Sequence, residues 1–182
     1  MALTYSEMIP LGKKAAPFEL MGIDGEKYSL NNFNNAKALV VMFICKHCPY
    51  VQAIEKRIAV LAKEYQQKGV AFVGINSNDT NRYPEDSPEN MKKQSQAVGF
   101  TFPYLIDDLQ NVAKSYGAVC TPDFFVFDHN HVLRYRGRLD DNWKEESKVQ
   151  TQDLKIALDA LVENKSVTDK QFPSMGCSIK WK

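Results

Sequence analysis

Two valine-rich apolar segments with a helical pattern between them constrain the fold of this chain most strongly. Residues 38–44 (ALVVMFI) and residues 70–75 (VAFVGI) are continuous apolar runs, which are typical of strands covered on both faces. Between them, apolar residues recur at helical spacing from Val51 to Tyr65, and Gly69 is placed to end that helix. The order strand, helix, strand predicts a βαβ unit, in which a right-handed crossover joins two parallel strands.

Helices are expected at three further places. Ser87 and Pro88 form an N-cap followed by a proline at the first helical position, and Gly99 is placed to end that helix. A short helix is expected at about residues 109–116, and an amphipathic helix at residues 154–161. The polar residues 76–86 are predicted to be a loop.

Two further strands are expected after the short helix. Residues 124–127 (FFVF) are a third apolar run. Residues 132–136 alternate, with Leu133 and Tyr135 on one face and Arg134 and Arg136 on the other. This alternation predicts an antiparallel strand with one face in water.

Length and composition favour a single domain and exclude several classes of function. A chain of 182 residues with 44% hydrophobic residues can bury a substantial core. We divide it into an N-terminal extension (1–36), an α/β core (37–165) and a C-terminal tail (166–182), with one sheet flanked by helices. A net charge of +1 gives no electrostatic surface for nucleic acid or an anionic membrane. No apolar run has the length of a membrane span.

The first residues of the chain lack the basic and apolar regions of a signal peptide. We therefore expect a cytoplasmic protein. In that reducing compartment a stable structural disulfide would be unexpected.

Two cysteines lie where the first strand passes into the first helix, in Cys45-Lys46-His47-Cys48. A Cys-x-x-Cys beside a βαβ unit is typical of redox-active proteins. Sulfurs at this spacing can close a small disulfide loop, and the free N–H groups at a helix start favour a thiolate. Lys46 and His47 are expected to lower the cysteine pKa further. We therefore predict Cys45 and Cys48 as the catalytic pair.

Two other interpretations of this pair stay open. A zinc site also uses Cys-x-x-Cys, but the remaining candidates, Cys120, Cys177, His129 and His131, do not form a second such ligand pair. Alternatively, both cysteines are buried and inert. The sequence shows no motif for a cofactor, and we expect neither a cofactor nor a metal.

A second signal, residues 120–123 (CTPD), precedes the third apolar run. Together with the cysteine pair it resembles the thioredoxin-like superfamily, whose members place a Thr-Pro with a cis peptide bond before the third core strand. The resemblance implies a thioredoxin-like fold with a central mixed sheet and a cis bond between Thr121 and Pro122. It also implies that substrate docks beside these two residues, and that Cys120 lies near the catalytic sulfurs. Cys120 is then either an accessory thiol or a small buried residue at the start of the strand.

Almost the whole chain also resembles the peroxiredoxins and related redoxins. Residues 16–18 (APF), 40–48 and 102–108 (FPYLIDD) are similar to the opening and middle segments of those proteins. Residues 45–51 and the ending 176–181 (GCSIKW) resemble a peroxiredoxin-like branch of thioredoxin or AhpC/TSA type.

Two enzyme mechanisms follow from these resemblances. A thioredoxin-type disulfide exchanger would use Cys45, expected to be the more exposed cysteine, as the attacking thiolate and Cys48 as the resolving thiol. A thiol peroxidase would use Cys48, followed by Pro49, as the peroxidatic cysteine. In the peroxidase motif Pro-x-x-x-(Thr/Ser)-x-x-Cys, Val41 and Cys45 replace the proline and the Thr/Ser. The peroxidase arginine is also missing before the third apolar run, so disulfide exchange is favoured.

Cys177 lies in the tail, which shows no helical pattern. It is either a packed residue beneath Trp181 or a second resolving thiol that folds back toward Cys48 or Cys120. A non-enzymatic redox sensor or zinc-binding module is the third interpretation of the whole chain.

The expected partners follow from the chemistry. They are protein or small-molecule disulfides and thiols, hydroperoxides in the peroxidase alternative, and a reductant such as thioredoxin or a low-molecular-weight thiol. Lys46-His47 in place of the Gly-Pro of thioredoxins predicts a less reducing potential. Neither nucleic acid nor a membrane is expected as a partner.

Overall fold

The two valine-rich segments form the centre of a seven-stranded sheet in the computed structural model, which describes residues 3–182. The helices are α1 (Pro49–Gln66), α2 (Pro88–Val98), α3 (Asn111–Tyr116) and α4 (Asp153–Val162). The strands are β1 (Leu3–Tyr5), β2 (Glu19–Gly22), β3 (Lys27–Ser29), β4 (Ala38–Phe43), β5 (Val70–Asn76), β6 (Tyr104–Ile106), β7 (Cys120–Thr121), β8 (Asp123–Asp128), β9 (Leu133–Gly137) and β10 (Met175–Ser178).

The predicted βαβ unit is confirmed. β4 and β5 pair in parallel, with Val40 opposite Phe72, and α1 connects them. All six residues of β4 are buried, as expected for a strand covered on both faces. The helix N-cap at Ser87 is also confirmed, since its hydroxyl accepts a hydrogen bond from the Asn90 N–H.

The main sheet is mixed, with the strand order β3-β2-β6-β5-β4-β8-β9. The central pairs β4–β5 and β5–β6 are parallel. The pairs on either side of them are antiparallel: β4–β8 and β8–β9 on one side, and β6–β2 and β2–β3 on the other. The N-terminal extension therefore supplies two strands of the sheet. A second, three-stranded sheet has the order β1-β10-β7, so the tail, whose sequence shows no helical pattern, contains a strand.

The sheet separates two hydrophobic clusters. Alternate residues of β4 point to opposite faces, so that Val40 and Met42 join one cluster while Leu39 and Val41 join the other. The first cluster also contains the buried faces of α1 and α4, and both cysteines of the predicted catalytic pair. Among the described residues, no helix combines the length and the apolarity that a membrane span needs.

The prediction that Arg136 faces water is wrong. In the pairing of β8 with β9, Val126 lies opposite Tyr135 and Phe127 opposite Leu133, so Arg134 is an extra, bulged residue. The bulge places Leu133 and Tyr135 in different hydrophobic clusters. Arg136 consequently points into the protein and is 0% exposed.

Buried Arg136 is held by polar and aromatic neighbours. Its Nη2 donates to the Gly117 carbonyl at 2.7 Å and to Asp123 Oδ2 at 3.0 Å. Its guanidinium lies 4.4 Å from the centre of the Phe125 ring. This ion pair fixes the start of β8, directly after the Thr121–Pro122 segment.

Candidate active site

The predicted catalytic pair lies between the end of β4 and the start of α1. Cys48 is the N-cap of α1, and Pro49 occupies the first helical position. Cys45 and Cys48 are both 0% exposed, so the expectation that Cys45 is the more exposed cysteine is wrong. All four cysteines are reduced.

Thr121 contacts both sulfurs of the pair. The Thr121–Pro122 peptide bond is cis, which confirms the prediction. The Thr121 Oγ1 lies 3.3 Å from the Cys45 sulfur, and the Cys48 sulfur lies 3.1 Å from the Thr121 carbonyl oxygen. The segment before β8, the strand that pairs with β4, therefore lies beside the cysteine pair.

The two thiols have opposite pKa shifts. A hydrogen bond from Cys45 lowers the pKa of Cys48 to about 5, against the effect of burial, and contacts from Cys177 and the Val51 N–H act in the same direction. Burial raises the pKa of Cys45 well above its usual value. The thiolate that the sequence led us to expect at Cys45 therefore resides on Cys48, because Cys48 occupies the helix N-terminus and accepts from its neighbours.

The backbone of the Cys-x-x-Cys is tied to Asp86, a site residue that sequence reasoning missed. The Asp86 Oδ1 accepts from the N–H groups of Lys46 and His47, at 2.8 and 2.9 Å. Its Oδ2 lies 2.5 Å from His47 Nδ1 and accepts from the Asn78 amide at 2.8 Å. Asp86 lies in the stretch predicted only as a polar loop, and no local pattern connects it with the cysteines.

His47 is oriented by this carboxylate and by an aromatic ring. Its Nδ1 lies 4.0 Å from the Cys45 sulfur, and its ring stacks on Tyr83 with the centroids 5.3 Å apart. The hydrogen bond that His47 donates to Asp86 raises the pKa of His47. Burial opposes ionisation of Asp86, but the bonds from His47 and Asn78 outweigh it and lower the pKa of Asp86. Lys46 enters this network through its backbone.

One group of ligand atoms in the described part of the chain could hold a metal ion. Cys45, His47 and Asp86 each offer one atom, all within 4.8 Å of one another. Sulfur, imidazole and carboxylate suit zinc. However, His47 Nδ1 is already bonded to Asp86, whose two oxygens accept the N–H groups described above. A metal would have to displace these bonds, so the arrangement favours a hydrogen-bonded His–Asp pair.

The structure separates the two accessory cysteines. Cys177 in β10 is 1% exposed and lies in hydrogen-bond contact with Cys48. Cys120 is buried near the pair, but its thiol faces the Pro122 carbonyl, 3.9 Å away. Burial and the nearby Asp123 carboxylate raise the pKa of Cys120. Of these two cysteines, Cys177 is the one in contact with the predicted catalytic pair.

Two cavities lie away from the sulfurs. One, of about 450 Å³, is lined by residues that include Arg57 and Lys155. The other, of about 260 Å³, lies beside Pro122, Trp143 and Met175. No cysteine lines either cavity. The second cavity places open space next to the cis-proline.

Known proteins share this architecture over most of the chain. The Thioredoxin-like protein YneN of Bacillus subtilis (strain 168) is 30% identical over 137 residues, covering 72% of this chain and 75% of YneN. The Thiol-disulfide oxidoreductase ResA of Bacillus thuringiensis subsp. konkukian (strain 97-27) is 27% identical over 132 residues, covering 69% and 68%. A crystal structure of a conserved protein from Geobacillus kaustophilus has 49% identity and a TM-score of 0.95, covering 100% and 97%.

The family assignment agrees with the geometry. Solved structures of thiol:disulfide interchange proteins share the fold at low sequence identity, which confirms the predicted thioredoxin-like fold. The AhpC/TSA family matches residues 11–136, from the segment before β2 to Arg136 in β9. This chain belongs to the AhpC/TSA family of the thioredoxin-like superfamily.

Proposed function

We propose that this protein is a thiol–disulfide oxidoreductase that cycles Cys45 and Cys48 between dithiol and disulfide. The observation that carries the proposal is the contact of two thiols of opposite pKa shift at the start of α1, facing the cis Thr121–Pro122 bond. The relationship to ResA supports the same activity. Substrates are protein or small-molecule disulfides, and a thiol reductant restores the dithiol.

In the proposed cycle Cys45 attacks from the form of the pair in which the proton shared by the two sulfurs lies on Cys48. The Cys45 sulfur, then a thiolate, attacks one sulfur of the substrate disulfide, and the first substrate thiolate leaves. The Cys48 sulfur then attacks Cys45, which forms the Cys45–Cys48 disulfide and releases the second substrate thiolate with the proton. One substrate disulfide is thereby reduced and one enzyme dithiol is oxidised, with two electrons transferred.

Insulin reduction in the presence of dithiothreitol tests this assignment. We expect Cys45→Ser and Cys48→Ser both to lose turnover, and Cys48→Ser to accumulate a mixed disulfide on Cys45. Cys120→Ser is the control, because its sulfur faces the Pro122 carbonyl, and it should keep the wild-type rate. A mixed disulfide on Cys48 in Cys45→Ser would reverse the roles. The redox potential should be less negative than the value of about −270 mV for thioredoxin.

A thiol peroxidase with Cys48 as peroxidatic cysteine is the second candidate, and the lowered pKa of Cys48 is the observation that favours it. In that reaction the Cys48 thiolate attacks one oxygen of a hydroperoxide, the O–O bond breaks, water or an alcohol leaves, and Cys48 becomes a sulfenic acid. A neighbouring thiol then forms a disulfide with Cys48 and releases water. Consumption of hydrogen peroxide separates the two functions. Turnover that survives in Cys45→Ser and is lost in Cys48→Ser would establish the peroxidase and contradict our first proposal.

A further inference from the structure

The strand β10 occupies the edge of β7 beside the cis-proline. Cys177 lies opposite Thr121 and Ser178 opposite Cys120, in antiparallel register. The other edge of β10 pairs with β1, with Gly176 opposite Thr4. The chain's own tail therefore forms main-chain pairing with the residue that precedes the cis-proline, where a substrate strand would be expected to dock.

Gly176 allows this close approach. A Cβ atom at position 176 would lie 1.9 Å from the Thr121 carbonyl oxygen and 3.0 Å from the Pro122 side chain. Real Cβ atoms do not approach so closely, so only glycine fits between the tail and the cis-proline segment. Gly176, directly before Cys177, thus packs against the backbone of Thr121 and the ring of Pro122.

Bonds on both sides of β10 fix the position of Cys177. The Ser174 N–H donates to Ser6 Oγ at 2.8 Å, and the Ser174 hydroxyl donates to the Gly137 carbonyl. After the strand, the Ile179 N–H donates to the Val119 carbonyl at 2.9 Å, and the Lys180 N–H donates to Asn78 Oδ1 at 2.8 Å. Asn78 also binds Asp86, so the tail is connected to the carboxylate that orients the Cys-x-x-Cys.

Three sulfurs converge at Thr121. The Cys48 sulfur lies 3.1 Å from the Thr121 carbonyl oxygen, and Cys45 lies 3.3 Å from the Thr121 hydroxyl. Cys177 is the register partner of Thr121, and its thiol is in hydrogen-bond contact with Cys48. Cys48 therefore has two thiol neighbours, one from its own loop and one from the tail.

We propose that Cys177 is a third redox-active thiol, which exchanges with the Cys45–Cys48 disulfide to form a Cys48–Cys177 disulfide. This inference rests on the proposed disulfide exchange, which produces the first disulfide. The fixed strand holds Cys177 against Cys48, and this proximity favours the internal exchange over attack by a thiol in solution.

The exchange needs no further oxidant. The Cys177 sulfur attacks Cys48 of the Cys45–Cys48 disulfide, the Cys48–Cys177 bond forms and the Cys45–Cys48 bond breaks. Cys45 leaves with the electron pair and takes up the proton that Cys177 loses. One disulfide is consumed and one is formed, so the oxidation level of the protein is unchanged. Cys45 becomes a thiol again while the disulfide joins α1 to the tail.

The double variant Cys45→Ser/Cys120→Ser tests the bond directly, since it keeps only Cys48 and Cys177. We expect oxidised glutathione to convert it to an intramolecular disulfide, seen by mass spectrometry as the loss of one hydrogen molecule and by peptide mapping as a Cys48–Cys177 link. The matched control Cys45→Ser/Cys177→Ser keeps Cys48 and Cys120, and should end as a glutathione adduct. A glutathione adduct or an unchanged dithiol in the first variant, with wild-type circular dichroism, would overturn the proposal.

The wild-type protein provides a measurement that needs no substitution. After partial oxidation with oxidised glutathione and alkylation of the remaining thiols, we expect both Cys45–Cys48 and Cys48–Cys177 peptides. In Cys177→Ser, all of the disulfide-bonded Cys48 should shift to the Cys45 link. Cys45–Cys48 peptides alone at every degree of wild-type oxidation, with insulin still reduced, would overturn the role of Cys177 only. If the Cys45–Cys48 disulfide is absent and insulin is not reduced, the proposed function is overturned as well.

Discussion

Replacing Asp86 with asparagine tests whether one buried carboxylate organises the active-site loop. Asp86 is 0% exposed and accepts from Lys46 N–H, His47 N–H and Asn78 Nδ2 at 2.8 to 2.9 Å. It also forms an ion pair with His47, whose side chain is 13% exposed. Asparagine keeps the shape of the side chain and one acceptor oxygen, but it removes the charge. Its N–H₂ group would face either the two backbone N–H groups or the His47 and Asn78 side chains, and those hydrogen bonds would be lost.

The expected loss of stability follows from the number of affected bonds. Removing one partner of a buried ion pair costs about 3–5 kcal/mol. Because the asparagine oxygen can still accept from one set of donors, we expect a smaller loss of about 2–3 kcal/mol in the free energy of unfolding. A loss of this size changes the unfolding equilibrium roughly a hundredfold.

The loss should depend on pH in a defined direction. The pKa of Asp86 is lowered from 3.8, so its stabilising effect is present above that value and is lost as the pH falls through the folded pKa. The pKa of His47 is raised from 6.5, so its effect is present below that value and is lost as the pH rises through the folded pKa. The difference between wild type and Asp86→Asn should therefore be largest between these two values.

Urea unfolding of both proteins, followed by circular dichroism at about pH 5.5 and about pH 8.5, measures this difference. The control is Asp108→Asn, because Asp108 pairs with Lys182 while 61% exposed, and such surface pairs contribute about 0–1 kcal/mol. A loss below about 1 kcal/mol at the lower pH, or a larger loss at the higher pH, would refute the reasoning.

Two further predictions concern packing around the cis-proline segment. Gly176→Ala should lower the free energy of unfolding by about 1–3 kcal/mol or more, because its Cβ would lie 1.9 Å from the Thr121 carbonyl oxygen. Thermal unfolding measures this loss, with Ser178→Ala as the control variant. An unchanged midpoint in Gly176→Ala would contradict the prediction. Arg136→Met should cost about 3–5 kcal/mol, since it leaves Asp123 buried without its cation. The double variant Arg136→Met/Asp123→Asn should recover part of that lost stability, as measured by urea unfolding. A double variant less stable than Arg136→Met would rule out the ion-pair explanation.

Local patterns in the sequence were sufficient for the central elements and for the position of the Cys-x-x-Cys at the start of a helix. The apolar runs, the helix caps and the Cys-x-x-Cys depend on residues close together in the chain, and the structure confirms the βαβ unit and the cap at Ser87. The cis bond at Pro122 was predicted from a family resemblance, and it is confirmed. These features require no knowledge of distant contacts.

Asp86, Arg136 and the tail strand could not be predicted in the same way. Asp86 reaches the cysteine loop only because β4 and β5 are neighbours, which brings the polar loop after β5 beside the end of β4. The burial of Arg136 depends on a bulge at Arg134, which reverses the simple alternation. β10 has four residues, and it forms a strand because β1 and β7 lie on either side of it.

The complete burial of Cys48 has a consequence for how its reactivity should be measured. Its lowered pKa makes it a thiolate at neutral pH, yet no reagent can touch a sulfur that is 0% exposed. Alkylation of Cys48 therefore requires a local opening of the Cys-x-x-Cys loop or of strand β10. At high reagent concentration the rate of labelling would then reach a plateau set by that motion. In the reduced protein that plateau would report the opening motion of the site rather than the acidity of the thiol.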